Sequence, residues 1–125
     1  MLQIADTMED ILFDTALIDE IGSKKSTIRV LEYYLEDSPK FLQDFEKLLS
    51  EQDLPNFIKK AHKLKGSLGM LKADLLVSLI NQMEIAAVNE KNIDQLPDLL
   101  AALKAKLHIL DEQIIQKIIK IKESL

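Results

Sequence analysis

Cysteine and tryptophan are absent from this chain of 125 residues, which has only three glycines and three prolines. Without cysteine there is no disulfide framework, thiolate zinc site, iron–sulfur cluster or thiol nucleophile. The chain also lacks an apolar run of about 18 residues, so we expect no membrane-spanning helix. Its first ten residues contain acids, no lysine and no small-residue cleavage site, which argues against a signal peptide. These absences predict a soluble, cytoplasmic protein.

Positive charge is in the minority, because 16 lysines and arginines are opposed by 21 aspartates and glutamates, for a net charge of −5. A nucleic-acid-binding domain usually carries a basic surplus, so no nucleic-acid partner is expected. The lysines are nevertheless clustered: residues 56–73 contain five of them and no acid. One local segment is therefore basic on an acidic protein.

Helical periodicity runs through the whole chain. Apolar residues recur at spacings of three and four, strict alternation is absent, and Ala, Leu, Lys, Glu and Gln dominate. A chain of this length can bury roughly two thirds of its unfolded surface, which is enough for one core. We therefore predict an all-α fold and a single domain over residues 1–125.

Capping and helix-breaking residues predict where the helices begin and end. An amino-terminal helix is expected over about 8–21, with Thr7 and Asp10 in capping-box spacing. Ser38-Pro39 predicts a start for a third helix after a second that follows Ser23, although the two could also form one kinked rod. Three more helices are predicted, from Asp53 to about Gly69 or Met70, from about Ala73 to Val88, and from about 94–97 to Glu123.

The short connections between these helices predict an up-and-down antiparallel four-helix bundle over about 24–123, with the amino-terminal helix as an addition packed across one end or side. The last helix has an apolar stripe that Ile115 and Ile119 widen beyond what a four-helix core needs. We predict that the amino-terminal helix buries these isoleucines and that the protein is a monomer; a dimer interface is the alternative.

His62 is the first candidate for chemistry. The helix that carries it has a core stripe in 4-3-4-3 spacing, formed by Phe57, Ala61, Leu64, Leu68 and Leu71. At about 100° per residue, His62 lies 120 to 140° from the centre of this stripe, on the solvent side. The same geometry places Ile58 one turn before it, Lys65 and Gly66 one turn after it, and Gly69 two turns after it.

Two glycines on the face of an exposed histidine need an explanation, because glycine inside a helix costs about 1 kcal/mol relative to alanine. A partner that approaches closely would provide one; a helix C-cap is the alternative, stronger for Gly69 than for Gly66. A neutral imidazole presents a free ring-nitrogen lone pair, which makes His62 a competent nucleophile. Nearby lysines would stabilise an arriving phosphoryl group.

The segment Ala61-His-Lys-Leu-Lys-Gly-Ser67, followed by Ala73, Leu76, Leu79 and Met83-Glu84, resembles histidine-containing phosphotransfer (HPt) domains, the relay modules of multistep two-component signalling. The resemblance implies that His62 accepts a phosphoryl group from a receiver-domain aspartyl phosphate and passes it to an aspartate of another receiver. It implies a phosphocarrier without kinase activity of its own. Lys65 would lie near the phosphoryl group, Gly66 would give the receiver access, and Glu84 would accept a hydrogen bond from the His62 Nδ1–H.

The resemblance also implies the partners, which are response-regulator receiver domains and a hybrid sensor histidine kinase. No cofactor or metal is expected in the domain itself, because the receiver supplies its own Mg²⁺. Where the family commonly has glycine, this sequence has Lys72, and Leu68 replaces a common small residue. The residues expected to contact a docked partner are Ile58, Lys59, Lys63, Gly69 and Lys72.

Other functions are less well supported by the residues. A di-iron bundle needs two Glu-x-x-His pairs, but Lys59 and Ala105 stand three positions before His62 and His108. His108 has no glycine one turn away and no run of lysines, so we assign it no role. No glycine-rich nucleotide loop or Ser/His/Asp set is found, which disfavours an autonomous enzyme. A helical adaptor that binds a receiver or a partner helix without phosphorylation is the remaining alternative.

Overall fold

The computed structural model describes residues 10–125, apart from the side chains of Glu90 and Lys91, and this part of the chain contains helices and no strand. The all-α prediction is confirmed. A short 3₁₀ helix, Glu90–Gln95, precedes the last of the α-helices. The α-helices are α1 (Ala16–Asp19), α2 (Lys24–Ser50), α3 (Leu54–Met70), α4 (Asp74–Val88) and α5 (Leu96–Glu123).

The four long helices pack as a ring in which α2 contacts α3, α3 contacts α4, α4 contacts α5, and α5 returns to α2. Short connections join α2 to α3 and α3 to α4, so these neighbours are antiparallel. Helices α2 and α5 are also antiparallel, because the start of α2 contacts the end of α5. Lys24 Nζ donates to Ser124 Oγ at 3.1 Å, and Ser38 Oγ donates to Asp111 Oδ2 at 2.9 Å. This is the up-and-down four-helix bundle that the sequence predicts.

The core consists of the stripes that the spacing predicts. On α3 and at its C-cap Leu71, the five stripe residues that begin with Phe57 are at most 2% exposed. The Phe57 ring lies 5.0 Å from the ring of Phe45 on α2, in a tilted arrangement that aromatic pairs favour. Because this apolar face is fixed against α2 and α4, the opposite face of α3 must lie toward solvent.

The predicted boundary at Ser38-Pro39 is wrong, and the single-rod alternative is correct: α2 continues through Pro39 to Ser50. Proline inside a helix removes one hydrogen bond and normally costs about 3 kcal/mol. Here tertiary packing outweighs that cost, because Tyr34 and Phe41 are both 7% exposed on either side of the proline. Ser38 is not an N-cap but a buried residue bonded to α5.

Asp111, the acceptor of the Ser38 bond, is a half-buried carboxylate between α2 and α5. Burial raises the pKa of Asp111 above its ordinary value, and the Ser38 hydrogen bond opposes that rise. Its second oxygen, Oδ1, is inaccessible to water and faces the Tyr34 hydroxyl, but the two atoms do not form a hydrogen bond of good geometry. Burial and the nearby Asp111 charge also raise the pKa of Tyr34. This seam therefore holds an incompletely paired acid.

The amino-terminal helix predicted over about 8–21 is wrong for residues 10–15, since the helix is only Ala16–Asp19; Thr7 and residues 8–9 lie outside the described part. In residues 10–15, backbone groups form hydrogen bonds with distant residues instead of the i to i−4 bonds of a helix. Leu12 N donates to Gln113 Oε1 at 2.8 Å, and Gln113 Nε2 donates to the Asp10 carbonyl at 2.7 Å. Further along, Asp14 N donates to the Leu71 carbonyl at 2.7 Å.

The predicted burial of the widened α5 stripe is also wrong, and the helix described at this end of the chain is a single turn, Ala16–Asp19. Ile115 and Ile119 are 45% and 47% exposed. They line an open groove of about 1020 Å³, bordered on its other side by Ile11 and Phe13. Within residues 10–125, no helix combines the length and apolar character needed to cross a membrane.

The α3–α4 turn explains the position where lysine replaces glycine. Lys72 has φ = 50°, in the left-handed region that favours glycine. Lys72 N donates to the Gly69 carbonyl and Ala73 N to the Leu68 carbonyl, both at 3.0 Å, which is the bonding pattern of a Schellman motif. Leu68 and Ala73 are both fully buried and supply the apolar contact of this motif. The turn geometry is thus retained with a strained residue.

Candidate functional site

Local sequence signals place His62 in the middle of α3. Asp53 caps the helix by accepting the Asn56 N–H at 3.3 Å, and Pro55 occupies the first turn, where its missing donor costs nothing. His62 follows the buried Ala61 and precedes the buried Leu64 by two residues. Its own side chain is exposed, on the solvent side that the stripe predicts.

The His62 imidazole has no hydrogen bond or ion pair with any side chain or backbone group that the structure describes. Neither ring nitrogen is therefore bonded to any of the residues that the structure describes. A neutral imidazole in this setting presents one lone pair and one N–H to whatever approaches from solvent. An exposed ring on a regular helix also needs no rearrangement of the fold to react.

Lys65, one turn after His62, spans the seam between α3 and α4. Its Nζ lies 3.1 Å from Asn81 Oδ1 and 2.8 Å from Glu84 Oε1, and the Lys65 and Glu84 side chains are 27% and 20% exposed. The Glu84 contact is an ion pair without hydrogen-bond alignment, since Oε1 is inaccessible to water and meets no donor at a suitable angle. The structure thus brings Glu84 to Lys65 and forms no bond between Glu84 and His62.

Gly66 and Gly69 both lie within α3 with ordinary helical φ, and the helix continues to Met70. The C-cap explanation is therefore wrong for both, because the left-handed capping position belongs to Lys72. A Cβ built on either glycine would meet nothing within 4 Å. No contact among the described residues requires these glycines, so this part of the α3 surface beside His62 is open to a partner.

The other predicted contact residues surround this surface. Lys59, Lys63 and Lys72 are exposed, and none of them has an acidic partner among the described side chains. Ile58 is partly buried against the core. Lys60 differs from its neighbours, since its Nζ lies 2.7 Å from Asp44 Oδ2 and 5.5 Å from the centre of the Phe41 ring. Of the lysines on α3 and in the turn after it, those without an acidic partner among the described side chains therefore lie around His62.

Two elements of the site come from α4 and were missed by reasoning from the sequence. The first is Asn81, which contacts Lys65 Nζ. Glu84, one helical turn after Asn81, contacts the same atom. The other is an apolar edge: Ile85 and Val88 are 64% and 69% exposed. Helices α3 and α4 are antiparallel, and Lys65 of α3 contacts Asn81 and Glu84 of α4. The preceding turn of α3, which contains His62, therefore lies beside the following turn of α4, which contains Ile85 and Val88. The interhelical register, which no local pattern reveals, was the missing signal.

His108, by contrast, lies on the exposed face of α5, where its Nε2 is 3.5 Å from Glu112 Oε1 in an exposed i, i+4 pair. Such pairs contribute little. Among the side chains that the structure describes, no three His, Cys, Asp or Glu residues cluster as a metal ion would require.

The fold and the site together define an all-α bundle that presents an unpaired histidine to solvent beside lysines and an open helix surface. The family model for the Hpt domain matches residues 29–113, and the chain therefore belongs to this family. Hpt domains are phosphocarriers of two-component signalling, where they interact with receiver and kinase partners, and are not enzymes in their own right. No curated protein and no solved structure gives a significant match to the chain.

Proposed function

We propose that this protein is a phosphorelay intermediate in which His62 accepts a phosphoryl group from a receiver-domain aspartyl phosphate and donates it to the aspartate of another receiver. The observation that carries the proposal is the exposed His62 ring, which has no partner among the described residues and lies beside glycines that no internal contact requires. The expected partners are response-regulator receivers and a hybrid sensor histidine kinase, and the expected working form is a cytoplasmic monomer.

In the first transfer, His62 Nε2 attacks phosphorus in line, the N–P bond forms, and the P–O bond of the acyl phosphate breaks. The electron pair of that bond goes to the aspartate carboxylate of the receiver, while Nδ1 keeps its proton. The second transfer is the same exchange in reverse with another receiver. The receiver brings its own aspartate and Mg²⁺, so the bundle supplies position and positive charge.

Each residue around His62 has a proposed part in this exchange. The Lys65 ammonium offsets the charge of the phosphoryl group, because charge-assisted contacts to phosphate are among the stronger hydrogen bonds. Gly66 and Gly69 let the receiver backbone approach. The proposed contacts with the rim of the receiver are Ile58, Lys59, Lys63 and Lys72.

The test is incubation with a phosphorylated receiver or hybrid kinase, followed by treatment of the product with acid and with base. We expect a label that acid removes and base does not, as for phosphohistidine. His62→Gln should abolish the label without unfolding, because the side chain is exposed. His108→Gln is the matched control and should be labelled normally. Label that persists in His62→Gln, or none on the unmodified chain, would reject the proposal.

A second candidate function is a helical adaptor that binds its partner without being phosphorylated. The observation that favours it is the exposure of Ile115 and Ile119 in the groove beside the amino-terminal segment. The same incubation separates the two functions, since an adaptor would bind the receiver and gain no label.

A further inference from the structure

Lys65 is held from α4 by two acceptors of different charge, the neutral amide of Asn81 and the carboxylate of Glu84. We propose, on the basis of the function proposed above, that Asn81 is a positioning residue for phosphotransfer. Its amide oxygen fixes the Lys65 ammonium in the α3–α4 seam, so that the ammonium lies ready for a phosphoryl group on His62.

Geometry gives the first argument. A free lysine side chain has many rotamers of similar energy, so a single contact leaves its ammonium poorly defined. Asn81 and Glu84 are three residues apart on α4 and therefore lie on one face of that helix. The Asn81 contact, at 3.1 Å, is the aligned hydrogen bond, whereas the Glu84 contact is electrostatic without alignment. Asn81 thus supplies the direction, and Glu84 supplies the charge.

Charge gives the second argument. The Lys65 and Glu84 charges cancel, and the amide of Asn81 adds an acceptor without adding a charge. A phosphoryl group carries about −1.5 to −2 at neutral pH, so a second carboxylate at position 81 would repel it. An ammonium has three donors, and the aligned bond to Asn81 uses one of them, so a donor remains for a phosphoryl oxygen even with Glu84 in contact. His62 and Lys65 are three residues apart on α3, so an oxygen of a phosphoryl group on His62 would lie within one helical turn of the Lys65 ammonium.

The experiment is a double-mutant cycle read out as the single-turnover rate of transfer from a phosphorylated receiver. Asn81→Ala should lower the maximal rate about three- to tenfold, which corresponds to the loss of one partly exposed hydrogen bond to a charged group. The receiver concentration that gives half the maximal rate should not change, because Asn81 is not proposed to contact the receiver. In a Lys65→Met background, Asn81→Ala should have no further effect.

The matched control is Gln82→Ala, which removes an exposed amide from the adjacent position of α4 and should leave the rate unchanged. Asn81→Asp keeps an oxygen in place but adds a charge, so the labelled fraction at equilibrium should fall. Asn81 is exposed, and unfolding curves should confirm that its variants are folded.

Each failure has its own meaning in this design. An equal loss of rate from Asn81→Ala with and without Lys65 would overturn the positioning role, and so would no loss in either background. An Asn81→Asp variant labelled as fully as the unmodified chain would refute the charge argument. Absence of label from His62 in the unmodified chain would instead defeat the proposed function itself.

Discussion

Replacing Gly66 with alanine is expected to make the protein more stable and less active at once. Glycine in the interior of a helix is less favourable than alanine by about 1 kcal/mol, because it loses more backbone entropy on folding. At Gly66 this gain is opposed by no clash, since an added Cβ meets nothing within 4 Å and φ is not in the left-handed region. We therefore expect the free energy of unfolding to rise by about 0.5–1 kcal/mol.

For a chain of this length, that increase corresponds to a rise in Tm of about 2–4 °C, which circular dichroism can follow. The methyl group would stand where the receiver is proposed to approach. Small displacements of reacting groups are costly, so transfer from a phosphorylated receiver should slow about three- to tenfold, and more in Gly66→Leu.

Gly22→Ala is the matched control, because its Cβ would lie 2.9 Å from Ser26 Cβ and Oγ. That variant should gain no stability and should transfer at the normal rate. A less stable Gly66→Ala would mean that internal packing requires the glycine. A more stable variant that transfers at the normal rate would refute the claim that the glycine leaves room for a partner.

Two further predictions concern stability. Lys72→Gly should raise the free energy of unfolding by about 1 kcal/mol, since φ = 50° costs a non-glycine residue about that much; no gain in thermal denaturation would contradict the strain. Burial raises the pKa of Asp111 in the folded state above the ordinary value of 3.8, so the folded state holds this proton more tightly than the unfolded chain. Stability from this group is complete below pH 3.8 and is lost as the pH rises through the folded-state pKa. In urea titrations, Asp111→Asn should therefore gain stability relative to the unmodified chain as the pH rises from 3.8 through the folded-state pKa of Asp111, and a difference that does not change with pH would contradict this assignment.

The helices that carry the site were predictable because their signals are local. Asp53 and Pro55 mark the start of α3, and the 4-3-4-3 stripe fixes its buried face. That face in turn puts His62 toward solvent, as the sequence predicts. A helix cap and an apolar periodicity depend only on residues close together in the sequence, so contacts with distant parts of the chain do not change these helices.

The wrong predictions for residues 10–15 and for Ser38-Pro39 both involve contacts between distant parts of the chain. Ser38-Pro39 has the local pattern of a helix start, yet its partner Asp111 on α5 makes Ser38 a buried residue within α2. Residues 10–15 have capping and periodic signals, yet they are not helical. Two of their backbone groups, Leu12 N and the Asp10 carbonyl, form hydrogen bonds with the Gln113 side chain instead of helical ones. Propensity is a weak prior against such contacts.

The predicted site differs from the observed one for a related reason. Helical phase places Glu84 toward α3, but phase alone does not decide which α3 side chain it meets. Lys65 is long enough to reach it, and also reaches Asn81, which was not predicted to have a role.

The α3–α4 hairpin contains His62, Lys65, Asn81 and Glu84 in one continuous stretch, closed by the turn at Lys72. Contacts between residues so near in sequence have a small loop-closure cost. Opening motions that begin at the chain ends can therefore leave the reactive geometry intact. In hydrogen-exchange experiments, amides around His62 should stay protected after those near residue 125 have exchanged.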